Sequence, residues 1–343
     1  MEDIKKQKSP VQMLEKDIFP ILPLHLRHIL SKVPEKLLNS LEEIRMRQAR
    51  PLMLVIGNQD FMVTAAGNPV TKGQNVYIVS KEDMFKTFQL ISQGSVYAIE
   101  EELKNGYLTL PGGHRVGITG KTVMEGGGVK TLRFISGFNI RIAREIPGAA
   151  DKVLPYIIDK EGRVYNTLIL SPPKAGKTTL LRDLIRQLSS GVEKFHIKGF
   201  KVGLVDERSE IACCYEGVPQ NDVGTRTDIL DGCPKACGIM MLLRSMSPDI
   251  IATDEIGRPE DVTAIEEAIN AGVTIITTAH ASDVDEIKKR PTVRKLIVRR
   301  FFKRLVVLGF SSGVGSLEKV IDGEDFGILF DRTKGGGMMS NAV

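Results

Sequence analysis

Along the first 145 residues the apolar positions change period several times. Residues 10–40 read as short helices punctuated by Pro20, Pro23 and Pro34. "LEEIRMR" then alternates apolar and charged positions, as a half-buried strand does. "PLMLVIG" and "FMVTA" continue the strand signal, with "GNQD" between them as a turn. "KEDMFKTFQLIS" has helical spacing through Met84, Phe85, Phe88, Leu90 and Ile91, with acids in its first turn. From 106 to 144 glycines and β-branched residues predict short strands joined by glycine turns, and "EIPGAADK" reads as a boundary. These signals predict an α+β domain over 1–145.

Beyond 150 the texture changes. Apolar runs ("NTLIL", "KVGLVD", "DIIATD", "VTIITTAH", "LVVLGF") alternate with helical stretches. Uninterrupted apolar strands separated by helices predict a mostly parallel sheet with helices on both faces, here over 150–330. The last residues, 331–343, read as a flexible tail.

Composition adds little to this picture. A chain of 343 residues with 42% hydrophobic and 26% charged residues is an ordinary globular one, and its net charge of +5 permits an acidic partner without demanding one. No run approaches the ~18 apolar residues of a membrane span. The N-terminus lacks an apolar signal core, so a cytoplasmic location is expected. Cys213, Cys214, Cys233 and Cys237 lack a standard zinc spacing and read as buried thiols.

The chemistry gathers in the second half. "NTLILSPPKAGKTTLLRDLIRQL" runs from a strand through a loop into a helix whose apolar face is Leu180, Leu181, Leu184, Ile185 and Leu188. The loop Ser171, Pro172, Pro173, Lys174, Ala175, Gly176, Lys177, Thr178, Thr179 fits G-x-x-x-x-G-K-[ST] except that Ser171 replaces the first glycine. In such a loop backbone N–H groups wrap a phosphate, the lysine neutralises β/γ oxygens and the hydroxyl of Thr178 serves Mg2+. Lys174 in mid-loop is strained if the backbone there must turn left-handed.

Three further strand ends converge on that loop. "SPDIIATDEIG" ends in Asp254, suited to the shell of Mg2+, and Glu255, suited to polarising water. "VGLVDERSEI" ends in Asp206, Glu207 and Glu210, with Asp206 read as an organiser of Mg2+ or water. "VTIITTAH" carries Thr277, Thr278 and His280, the last a candidate γ-phosphate sensor. In an open α/β sheet such C-terminal strand ends are where ligands sit.

This order of P-loop, "LVDERSE", "LLRSMSPDIIATDEIGR" and "TTAH" resembles the secretion ATPases of type II and type IV secretion and pilus machines. Outside the motifs, "GGHRVGITG", "PQNDVGTRTDILDGCPKA" and "DEIGRPEDVTAIEEAINAGV" are similar to the stage III sporulation AA family within that superfamily. Lys174 departs from the glycine that family usually carries there. The resemblance implies a RecA-like P-loop ATPase domain preceded by a smaller α+β domain, with ATP and Mg2+ as ligands. It further implies a homo-oligomeric ring, a hexamer, that is peripheral at the inner face of a membrane and drives integral membrane channel subunits between mother cell and forespore. An arginine acting across subunits is then expected among Arg133, Arg141 and Arg144, with Arg141 and Arg144 preferred and Arg226 and Arg244 as alternatives.

The competing expectation is a nucleic-acid-associated P-loop ATPase. No basic-aromatic platform supports it, and no direct nucleic-acid contact is expected. The segment "KKRPTVRKLIVRRFFKR", 288–304, carries nine basic residues and no acid. Val293, Leu296, Ile297, Phe301 and Phe302 point to one packed side, which leaves the cations for a membrane or channel surface.

Overall fold

The structure is a computed structural model and describes residues 9–57, 59–73, 75–95 and 99–334. The chain divides into two compact units, Met1–Arg144 and Glu145–Val343.

In the first unit the chain opens with three short helices, α1 (Pro10–Met13), α2 (Leu24–Leu30) and α3 (Glu35–Leu38). Strands β1 (Glu43–Arg47), β2 (Met53–Ile56), β3 (Gln59–Val63) and β4 (Pro69–Val70) follow. Next come α4 (Lys81–Ile91), α5 (Glu100–Asn105), β5 (Tyr107–Thr109), β6 (Arg115–Glu125) and β7 (Gly128–Arg141). The seven strands form one sheet in the order β4-β3-β2-β1-β7-β6-β5, and each neighbouring pair is antiparallel. Ile44, Met46, Leu54, Val116, Ile118, Phe138 and Ile140 face a shared core with Leu26, Leu30 and Met84. Alternation therefore leaves the other sheet face wet.

Two expectations need correction here. The glycine-rich stretch forms two long strands of 11 and 14 residues rather than many short ones. Gly120 and Gly137 lie inside this ribbon because the partner strand crowds them: a Cβ at Gly120 would sit 2.7 Å from Arg133 O, and one at Gly137 2.4 Å from Thr119 Oγ1. In α4, Met84 and Ile91 are buried, but Phe85 is 60% exposed, so helical spacing overstated the buried face.

The second unit starts with α6 (Leu154–Ile157), β8 (Thr167–Ser171), α7 (Lys177–Ser190), β9 (Val202–Asp206) and β10 (Thr227–Asp231). It continues with α8 (Lys235–Ser245), β11 (Ile250–Thr253), α9 (Pro259–Asn270) and β12 (Thr274–His280). The last elements are α10 (Val284–Lys288), α11 (Pro291–Val298), β13 (Arg304–Gly309), β14 (Ser316–Asp322) and β15 (Ile328–Asp331). The sheet order is β10-β9-β11-β12-β8-β13-β14-β15, parallel from β10 to β13 and antiparallel thereafter.

Every residue of β8, β9 and β11 is buried. Ile169 packs in one apolar cluster with the face of α7, while Leu168 and Leu170 join the opposite cluster with α8, α9 and α11. Helices thus cover both faces, which is why these strands have no polar alternation. Residues 331–334, expected in the tail, close β15 and form a short 3₁₀ turn; 335–343 lie outside the described residues.

The basic segment is less available than its sequence implies. Lys295 and Arg299 both pair with Glu266, Arg290 with Glu286, and Arg304 with Asp322. Lys289, Arg294 and Arg300 are exposed and form no ion pair among the described residues. Val293, Leu296, Ile297 and Phe302 are buried as expected, and Phe301 is half-buried.

Candidate nucleotide site

Parallel pairing brings the polar strand ends to one edge. His280 lies opposite Ser171 and Thr253 opposite Val205, so Asp206, Asp254 and His280 follow one another along the same rim as the loop 171–176.

The loop itself is wound tightly. Gly176 has φ +85° and caps α7, and a Cβ there would sit 3.1 Å from Gly315 Cα. The close approach it permits is thus to the turn between β13 and β14, as well as to any ligand. Lys174 has φ +61°, the strained left-handed conformation that its sequence position raised as a risk. A non-glycine residue there costs about 1–2 kcal/mol, and the cost is local because the side chain is exposed. Ser171 ends its strand in ordinary extended backbone, so losing the first glycine introduces no positive φ.

Lys177 is buried and its Nζ donates to Ser171 O (3.3 Å), Ser171 Oγ (3.1 Å) and Pro172 O (3.3 Å). His280 Nδ1 lies 2.8 Å from the same Nζ. No carboxylate lies within ion-pair distance among the described residues. Burial pushes the ammonium below the ordinary lysine range, and the negative charge of Glu255 opposes that shift. A buried cation held only by neutral acceptors is short of an anion, which a phosphate supplies. Hydroxyl and carboxylate oxygens at Thr178 and Asp254 are hard donors of the kind Mg2+ takes.

His280 joins two predicted residues. Because Nδ1 accepts from Lys177, the ring proton belongs on Nε2, which lies 3.2 Å from Glu255 Oε2. Arg208 Nη1 approaches the same Glu255 oxygen at 3.7 Å.

Asp254 enters a second network. It is buried, and its Oδ1 lies 3.1 Å from Lys235 Nζ, which also hydrogen-bonds Glu207 Oε2. Burial pushes the Asp254 carboxyl up to about 6 against the pull of Lys235. Burial alone would depress Lys235, but Glu207 and Asp254 outweigh it and hold the ammonium above its ordinary value. Lys235 and Arg208 were not singled out in the sequence, although Arg208 lies within "LVDERSE" and Lys235 within "PQNDVGTRTDILDGCPKA". The available signal was a lysine opening an otherwise apolar helix, "KACGIMMLL", just after a proline.

Asp206 departs from expectation. It is fully buried, and its oxygens accept from the backbone N–H groups of Glu210 (2.9 Å), Ile211 (2.9 Å) and Ala212 (2.8 Å). Burial raises its carboxyl despite those three donors. Both oxygens thus shape the loop after β9, a structural task that the sequence did not announce. Glu207, which reaches Lys235, is the acid this strand end offers to the site.

The predicted arginines belong to other surroundings. Arg141 lies on β7 with Nε 3.9 Å from Glu43 Oε1, and Arg144 donates to Leu41 O (2.8 Å), both within the first unit. Arg226 donates to Ser189 O (2.9 Å) and Ser190 O (3.3 Å) at the end of α7. Among the thiols Cys214 is buried and pushed up to about 12 by burial, whereas Cys237 is exposed, so the reading of buried thiols holds only in part. No group of three or more His, Cys, Asp or Glu side chains that could hold a metal ion occurs among the described residues. No helix among them is long and apolar enough to cross a membrane.

The family model of sporulation stage III, protein AA, matches residues 12–326. Stage III sporulation protein AA of Bacillus subtilis (strain 168) is 43% identical over 319 residues, covering 93% of this chain and 98% of its own. Among solved structures, the ATPase DotB of Yersinia pseudotuberculosis superposes with a TM-score of 0.52 at 14% identity, over 91% of this chain and 80% of its own. The pilus retraction motor PilT, solved with bound ADP, gives 0.50 at 15% identity, over 80% of this chain and 76% of its own. At such identities the likeness concerns the fold, which is that of the P-loop secretion ATPases. With its family model spanning nearly the whole length and a full-length relative at 43% identity, the chain belongs to the sporulation stage III, protein AA family.

Proposed function

We infer that the protein is a Mg2+-dependent, ATP-hydrolysing motor of the secretion type, serving a membrane-embedded channel during sporulation. The observation that carries this reading is the Lys177–His280–Glu255 chain across three elements, in which the buried Lys177 ammonium has only neutral partners. Lys177 would bind the β/γ oxygens of the substrate nucleotide, with the N–H groups of 174–178 around them. Glu255 is the base that orients water, and His280 tells Glu255 whether Lys177 is engaged, because occupying Lys177 frees its Nδ1. Thr178 and Asp254 would hold Mg2+, which supplies charge neutralisation on the transferred phosphoryl group.

Glu255→Gln should retain nucleotide binding while steady-state ATP turnover falls by roughly 10²-fold or more. Parental turnover in that variant would remove the proposed chemistry from this site.

The finer reading is a cytoplasmic ring, probed as a hexamer, peripheral to the inner face of a membrane and coupled to integral membrane channel subunits. The fold shared with DotB and PilT supports a motor, and the exposed Lys289, Arg294 and Arg300 supply a basic surface for docking. In a ring, Arg141 or Arg144 would complete a neighbour's site. Mixing Lys177→Ala chains with Arg141→Ala or Arg144→Ala chains should then recover turnover that neither variant has alone. No recovery with either arginine would leave the exposed Arg244 as the candidate.

A further inference from the structure

Asp254 and Glu255 adjoin in the chain but answer to different partners. Glu255 faces His280, and Asp254 faces Lys235. Lys235 is the first residue of α8, follows Pro234 at the cap, and is 5% exposed. The N-terminal turn of a helix disfavours a cation, and burial disfavours any ammonium. Neither the helix nor the core therefore explains this lysine; its acidic neighbours do. Its Nζ bridges Glu207 Oε2 at the end of β9 and Asp254 Oδ1 at the end of β11. Arg258 Nη1 stands 3.7 Å from the other Glu207 oxygen, and Asp206 beside them is already taken up by backbone N–H groups.

We propose that Lys235 is a positioning residue that clamps Asp254 Oδ1 against Glu207, fixing how the two acidic strand ends present themselves to the divalent cation of a bound nucleotide. The inference rests on the nucleotide reading above. Two effects of opposite sign follow. The ion pair holds Asp254 in one orientation, which favours a single productive geometry. The ammonium also cancels negative charge at the rim, so the cation is held less tightly than bare carboxylates would hold it. Removing Lys235 should therefore tighten the cation and slow the reaction together. A residue that merely supported the fold would weaken both.

The test uses Mn2+ as a paramagnetic probe with ADP, beside ATP turnover, on the full chain. Lys235→Met should bind Mn2+ roughly tenfold more tightly, the size expected when a neighbouring like charge is removed from a part-buried site. Its turnover should fall by roughly tenfold or more as the alignment is lost. The paired variant Lys235→Met with Glu207→Gln removes one cation and one anion, so net charge and foldability are kept. Its Mn2+ affinity should return toward the parental value while turnover stays low. Unchanged or weaker Mn2+ binding in Lys235→Met, or a paired variant as tight as the single one, overturns the proposal. Failure of the parental protein to bind Mn2+ with ADP would instead overturn the nucleotide reading, and this one with it.

Discussion

The two sheets solve the same burial problem in different ways. In the first unit each neighbouring pair is antiparallel, so successive strand ends alternate between the two edges and one face stays wet. In the second, the strands from β10 to β13 run parallel, and the central β8, β9 and β11 are buried on both faces. All the C-terminal ends of the parallel strands then reach one rim, where charged side chains gather. Direction thus concentrates chemistry: Ser171, Asp206, Asp254 and His280 come from strands far apart in sequence. The polar groups of the antiparallel unit are spread, and buried ones such as Asp83 on α4 and His114 just before β6 are bonded to backbone N–H or side-chain groups of the same unit.

The largest effect should come from cutting the rim at its centre. Lys177→Ala removes the ammonium that His280 and the loop carbonyls hold, and nothing nearby replaces it. Loss of a charged partner of this kind is worth about 2–5 kcal/mol, so nucleotide affinity should fall by roughly 10²-fold or more in equilibrium titration. Near-parental affinity would mean that the rim gathers charge without using it.

A middle-sized effect should separate structure from chemistry within the rim. Asp206→Asn keeps the shape but cannot accept all three backbone N–H bonds, and should lower the stability of the second unit by about 1–3 kcal/mol in denaturant unfolding. Lost turnover with unchanged unfolding would restore the catalytic role first expected of Asp206.

The smallest effect belongs to the antiparallel unit. His114 is fully buried, its Nδ1 accepts from Ala143 N–H (3.0 Å), and burial lowers its pKa against the influence of Asp17. The unfolded chain therefore takes up this proton first as pH falls. Stability from His114 is complete above about pH 6.5 and is lost as acidity increases below it. The protection factor of the Ala143 amide should fall on that descent, and His114→Asn should flatten the response. An equally steep response in His114→Asn would assign the acid sensitivity to another group.

Much of the second unit was legible because its strands are apolar throughout and its loop chemistry is local. Spacing within "SPPKAGKTTLL" is enough to place a strand, a phosphate loop and a helix face, since each depends on near neighbours. The long ribbon of β6 and β7 was harder to read. Gly120 and Gly137 resemble turn glycines until the partner strand that crowds them is known. The edge strands β10 and β15 likewise carry weak patterns, because edge strands are half-exposed and owe their pairing to the sheet they extend.

By itself the sequence determined the class of the strongly patterned segments and the types of side chain at their strand ends, because periodicity and loop spacing are properties of a few consecutive residues. Which acid does what was decided only by tertiary structure. Asp206 and Glu207 are equivalent candidates in "LVDERSE", and only the backbone turn of 210–212 takes one while Lys235, 28 residues on, takes the other. His280 had no assigned partners until β12 was laid beside β8, which put its ring between Lys177 and Glu255. Such pairings depend on strand register and burial, and those are settled by packing across the whole sheet rather than by any local stretch of chain.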